Sequence, residues 1–127
     1  MVPETTREIE VIFYREADGT VPARDWFSRL PEKIQDKFRA RIERLSEVGL
    51  DMERPYSGYL RDGIRELRVR WQNVNYRKLY FVHQHTIAVL SHGLTKKKRV
   101  PPQEIDRAIQ NRERYLQNPQ QHSQEMD

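Results

Sequence analysis

Residues 64–92 read IRELRVRWQNVNYRKLYFVHQHTIAVLSH, and their alternation decides the fold. In Ile64–Trp71, Arg65, Leu67, Val69 and Trp71 fall on one face and Glu66, Arg68 and Arg70 on the other, the two-residue period of an extended chain. Gln72-Asn73-Val74-Asn75 is a hairpin turn into a second strand, Tyr76–His83. Gln84-His85 turns the chain again into Thr86–His92, the most apolar of the three. Links this short make neighbouring strands antiparallel.

Upstream, residues 8–15 place Ile9, Val11 and Phe13 on one face of a further strand. Ala17-Asp18-Gly19-Thr20 supplies a turn, and Pro22 opens a short helix whose apolar stripe is Ala23, Trp26, Phe27 and Leu30. Pro31 starts a longer helix. Its stripe is Ile34, Phe38, Ile42, Leu45 and Val48, with Gly49 placed to cap the end. Residues 50–63 read as a loop ending in the Asp62-Gly63 turn. Pro101-Pro102 opens a last helix with Ile105, Ala108, Ile109, Arg112 and Leu116 along one side. The expected order is β-α-α-β-β-β-α, a single α+β domain with a curved, mostly antiparallel sheet packed against a helix hairpin. The domain is expected over residues 1–117, and residues 118–127 are too polar to pack and are expected to fray.

The chain has 127 residues and no cysteine, which excludes a disulfide framework, a thiolate metal site and a thiol nucleophile. No stretch approaches the ~20 apolar residues of a membrane span, so a cytoplasmic protein is expected. Net charge is +4 but uneven: residues 61–99 hold ten Lys and Arg against two acids, Asp62 and Glu66. Such a segment favours an anionic partner, nucleic acid first.

The four histidines, His83, His85, His92 and His122, show no metal-ligand spacing, and the glycines are scattered singly, so neither a metal nor a cofactor is expected. Ser91 and His92 are adjacent strand residues and should point to opposite faces. The bases remain: Arg68 and Arg70 beside Glu66 on one strand face, Arg77 on the next strand, and Lys96, Lys97 and Lys98 after the last. A sheet lined in this way can hold an RNA backbone and stabilise its cleavage, since guanidinium groups bind phosphate through paired hydrogen bonds. Glu66 or His92 would serve as proton acceptor; equally, Glu66 balances Arg65 or Arg68, and His92 is a packed sheet residue. Arg65, Arg70, Lys78, Lys96, Lys98 and Arg99 are the expected RNA-binding bases.

The motifs Gly63-Ile64-Arg65-Glu66-Leu67-Arg68, Tyr76-Arg77-Lys78-Leu79-Tyr80-Phe81 and His92-Gly93-Leu94-Thr95-Lys96-Lys97 follow Pro22-Ala23-Arg24-Asp25-Trp26-Phe27 in order. Together they resemble the phage-derived, HigB-like branch of the RelE/ParE toxin superfamily from about residue 8 to residue 117. The resemblance implies a RelE-like fold and a type II toxin that cleaves mRNA on the ribosome without metal. It also implies a cognate antitoxin, usually a helix-turn-helix protein of the HigA or Xre kind. By the same resemblance Arg68 and Arg77 contact RNA and stabilise the transition state, and Lys96 and Lys97 belong to the basic loop. Glu66 stands where some relatives carry lysine, and the tyrosine that some place after the basic loop has no counterpart at Val100-Pro101-Pro102. The alternatives are a ParE-like inhibitor of DNA gyrase that cleaves nothing, and a degenerate phage-derived protein that only binds an antitoxin.

Overall fold

Three pairs of left-handed residues turn the chain between strands: Asp62 and Gly63, Gln72 and Asn73, Gln84 and His85. The first two are two-residue hairpin turns, whose twist matches that of the strands they join. The computed structural model describes residues 9–49, 56–95 and 98–126; Glu8, residues 50–55, Lys96 and Lys97 of the expectations above lie outside them. The elements are β1 (Glu10–Tyr14), α1 (Pro22–Ser28), α2 (Glu32–Val48), β2 (Ser57–Arg61), β3 (Ile64–Trp71), β4 (Val74–His83), β5 (Ile87–Thr95), α3 (Pro102–Gln117) and β6 (Ser123–Glu125). They form a single mixed α+β domain whose sheet has the order β2-β3-β4-β5-β1-β6. Pairing is antiparallel except between β1 and β5.

The α1–α2 pair covers one face of the sheet. Ile34, Phe38 and Leu45 of α2 meet Phe13, Leu67, Val69, Tyr80 and Leu90 there, as the helical stripe requires. Gly49 caps α2 at φ 61°, its N–H bonded to the Leu45 carbonyl. The opposite face is not left open: α3 packs on it, with Ile105, Ala108 and Tyr115 against Ile64, Leu79, Phe81 and Val89. That face of α3 is turned from the expected one. Asn111 and Tyr115 are buried, whereas Leu116 is exposed.

Two further expectations are corrected. Part of the 50–63 loop is strand β2, drawn onto β3 by the Asp62-Gly63 turn, which needs a strand on each side. The 118–127 tail does not fray over its described residues, because it closes the free edge of β1. Ser123–Glu125 pair with Ile12–Tyr14, the Arg15 N–H donates to the His122 carbonyl, and the His122 ring stacks on Tyr14 at 5.5 Å. Backbone hydrogen bonds and one ring order a segment that has little apolar surface to bury.

Candidate nucleic-acid interface

β3 and β4 set Arg68 directly opposite Arg77 on the sheet face that α3 also covers. Two cations so placed repel unless something lies between them. Glu66, 3% exposed, supplies it: Oε1 accepts from Arg77 Nη1 at 2.7 Å and Oε2 from Arg68 Nη2 at 3.3 Å. Arg77 is held a second time, its Nη2 donating to the Lys98 carbonyl at 2.9 Å, which ties down the chain just after the basic loop. Gly58, opposite Glu66 on β2, leaves room for the cluster; a Cβ there would lie 2.9 Å from Arg68 Nη2. Both Nε–H groups are buried with no partner among the described residues, so the two forks are fixed at some energetic cost.

The cluster opens on a cleft of about 350 Å³ lined by Arg41, Tyr56, Arg68, Arg70, Asn75 and Arg77. Arg41 comes from α2, donates through Nε to the Arg68 carbonyl at 3.3 Å, and lies 3.9 Å over the Tyr56 ring. Exposed Arg70 donates to Asn73 at 3.3 Å. Four guanidinium groups thus line one cleft with no carboxylate on its wall among the described residues, and an aromatic ring stands at its edge. Arg41 and Tyr56 were not legible as site residues. One is a helix residue off the apolar stripe and the other lies within the expected 50–63 loop, and no local pattern ties either to β3.

The other expected residues scatter. Glu66 has both oxygens engaged by guanidinium groups, so it positions them and is not a free proton acceptor; of its two expected partners it takes Arg68 and not Arg65. Arg65 shares the α2 face with Leu67 and Val69 and lies 5.2 Å over Tyr59, away from the cleft. Lys78 also faces α1 and α2 and is fully buried, which removes it from any RNA-binding surface. Lys98 and Arg99 are exposed after the loop; Lys96 and Lys97 lie outside the described residues.

His92, 1% exposed, is not part of the cleft. It belongs to a chain of hydrogen bonds between β5 and α3. Arg114 can only donate, so the Asn111 atom facing it at 3.2 Å is Oδ1, and Asn111 Nδ2 donates to Ser91 Oγ at 2.9 Å. The Ser91 hydroxyl then donates to His92 Nδ1 at 2.8 Å, and His92 Nε2–H donates to Glu104 at 3.0 Å. Burial and the Arg107 charge lower the His92 pKa to about 4 against the opposing pull of Glu104. Ser91 and His92 were expected on opposite faces; they meet because Leu79 pairs with His92 while Tyr80 pairs with Leu90. Ser91 is the extra residue of a β-bulge. Ser91 and His92 are buried beneath α3 while Glu104 is partly exposed, and the serine–histidine–glutamate array fastens helix to sheet.

Residues 25–113 match the family described as Phage derived protein Gp49-like (DUF891). The chain belongs to that family. The Gp49-like region runs from within α1 to within α3 and contains every residue of the cleft, whereas β1 and β6 lie outside it. The Gp49-like family belongs to the RelE/HigB-like toxin superfamily. No curated protein matches the chain in sequence. Among the described residues no helix is long and apolar enough to cross a membrane.

Proposed function

We propose that this Gp49-like protein is the toxin of a type II toxin–antitoxin pair and a ribosome-dependent endoribonuclease of the HigB-like kind. The observation that carries the reading is the cleft of four arginines braced from behind by Glu66. In cleavage of this type the RNA 2′-hydroxyl attacks the adjacent phosphorus, and the bond to the 5′-oxygen breaks to leave a cyclic phosphate. Water takes the hydroxyl proton and protonates the leaving 5′-oxygen. The protein supplies position and positive charge for the negative charge that grows on the phosphoryl oxygens. Arg77, held twice, and Arg68 are preorganised for that task. Arg41 and Arg70 hold the flanking phosphates, and the Tyr56 ring, backed by Arg41, offers a base a stacking surface. Lys96 and Lys97 take part in RNA binding by the resemblance. No resident cofactor enters this scheme.

The partner that restrains such a toxin is an antitoxin with an acidic or amphipathic segment laid over the cleft, here of the helix-turn-helix HigA or Xre kind. Its complex weakens as salt rises, because charge drives it. An affinity indifferent to ionic strength removes that account.

The test is induced expression in a bacterium, native chain against the Arg68→Ala/Arg77→Ala double variant, with 5′ ends of total RNA mapped. Growth arrest with new ends inside translated frames, lost in the double variant, supports the reading. Arrest without cuts replaces it with a gyrase-type inhibitor, and no arrest replaces it with an antitoxin-binding protein without toxicity.

A further inference from the structure

Lys78 is the one cation of β4 that the cleft does not use. Strand alternation sends it through to the face opposite its neighbour Arg77, where it lines a cavity of about 550 Å³ under α1 and α2. Its residue surface is 0% exposed, and no acid acts on its ammonium among the described residues, only burial and the charge of Arg39. Three rings surround it instead: Phe27 at 4.2 Å, Phe38 at 5.2 Å and Phe13 at 5.8 Å. Ring faces attract a cation, but they replace only part of the hydration that an ammonium loses on burial. Lysine is rarely left this way without a partner.

The rest of the cavity narrows what that partner is. Arg24 and Arg39 also line it, against a single acid, Glu43. Its remaining walls are apolar, from Val11, Phe13, Phe27, Ile42 and Met126, except for Ser46, whose hydroxyl donates to the Glu43 carbonyl at 2.8 Å. The volume falls in the range of small-molecule sites, about 300–1,000 Å³. Arg39 already pairs with Asp36 at 2.7 Å, and Arg24 lies 4.0 Å from Asp25. It is therefore Lys78, without a paired acid among the described residues, that favours an anion, and the mostly apolar walls favour a body that asks for few hydrogen bonds. A nucleotide or sugar phosphate would leave hydroxyl groups against phenyl rings. A carboxylate on a hydrocarbon or aryl chain satisfies both the charge and the walls.

We propose that this cavity binds a small amphiphilic carboxylate, its apolar tail against Val11, Phe13 and Ile42 and its carboxylate paired with Lys78 between Arg24 and Arg39. Contact with Lys78 requires the half-buried Phe27 ring to turn aside, since that ring is the nearest group over the ammonium. Burial, with the charge of Arg39, brings the lysine pKa down to about 7, and an anion beside it restores the protonated form. The site lies back to back with the arginine cleft across β4 and does not depend on the toxin reading.

The experiment is calorimetric titration of the full chain with octanoate and with 4-phenylbutyrate. 1-Octanol and octylamine provide neutral and cationic heads on the same tail. The expected result is saturable one-to-one binding of both acids, with octanol weaker by about tenfold or more, the worth of one charge-assisted hydrogen bond, and no binding of octylamine. Lys78→Met, close in shape and uncharged, is expected to fold and to bind octanoate no better than octanol. Arg39→Gln, at an exposed position, is the second variant and should weaken octanoate severalfold. The proposal is overturned if octanol binds as well as octanoate, if neither acid saturates at millimolar concentration, or if a folded Lys78→Met retains the preference. Unchanged octanoate affinity in Arg39→Gln overturns it too.

Discussion

Arg77 and Lys78 are consecutive residues on one strand, both cationic and both buried, and the protein treats them in opposite ways. Arg77 has a carboxylate at 2.7 Å and a carbonyl at 2.9 Å, so its charge is neutralised and its fork is aimed. Lys78 has no acid acting on it among the described residues and lies among three rings, and its pKa falls toward neutrality. A buried charge is stable where its hydrogen-bonding groups are met; elsewhere it is a standing cost kept for another reason. On one face of β4 the proposed reason is phosphate held in a fixed frame, and on the other it is the proposed carboxylate.

The comparison breaks most visibly at Arg77. Arg77→Ala leaves Glu66 buried with only the longer bond to Arg68, and should cost about 3–5 kcal/mol in urea unfolding. RNA cleavage should fall by about 10²–10³, and Arg77→Lys should recover part of the stability and little of the rate. Stability unchanged in Arg77→Ala would mean that the Glu66 pair organises nothing.

Lys78 should give the opposite sign. The unfolded chain protonates this lysine near 10.5 and the folded chain only near 7, so stability is lost as pH falls through that window and is level below it. At about 1.4 kcal/mol per unit between 10.5 and 7, Lys78→Met should raise stability near neutrality by about 4–5 kcal/mol at most. It should also flatten the alkaline part of the stability profile. A destabilised Lys78→Met would show that the three rings hold the ammonium better than methionine fills its place.

His92 sharpens the contrast, as a buried group that is satisfied while neutral. Its pKa falls from 6.5 to about 4, so stability is constant above pH 6.5 and lost as pH drops toward 4, by about 3 kcal/mol at most. Unfolding of the native chain and of His92→Gln across pH 4–7 checks this, the variant losing that acid limb. The smallest expected effect on stability is at Gly58. Gly58→Ala puts a Cβ 2.9 Å from the flexible end of Arg68, so the guanidinium yields, stability changes by less than about 1 kcal/mol, and cleavage falls further than stability. Equal losses in both would make Gly58 a simple packing position.

Much of this contrast was open to reading and its decisive part was not. The two-residue period of Ile64–Trp71 fixes that Glu66, Arg68 and Arg70 share a face, and the α2 stripe from Ile34 to Val48 fixes what that helix buries. The same period puts Arg77 and Lys78 on opposite faces, yet both were counted together as RNA contacts. Composition registers a basic segment without asking which of its sides a helix will cover. Leu116 and the polar tail misled for a related reason. An apolar residue at the edge of a stripe and a segment without apolar residues are judged by hydrophobicity, whereas α3 turned Asn111 inward to bond Ser91, and β1 offered the tail a free backbone edge.

The sequence by itself determined β1, β3, β4 and β5, the turns that join the last three, the course of α2 and the concentration of bases between Arg61 and Arg99, because each is set by neighbours within a few residues. The tertiary structure alone decided which cations are paired. Strand register put Arg68 across from Arg77, a bulge brought Ser91 to His92, and the packing of α2 delivered Arg41 to the cleft and sealed Lys78 among rings. Pairing and burial depend on distances between segments far apart in the chain, and only the folded molecule fixes those distances.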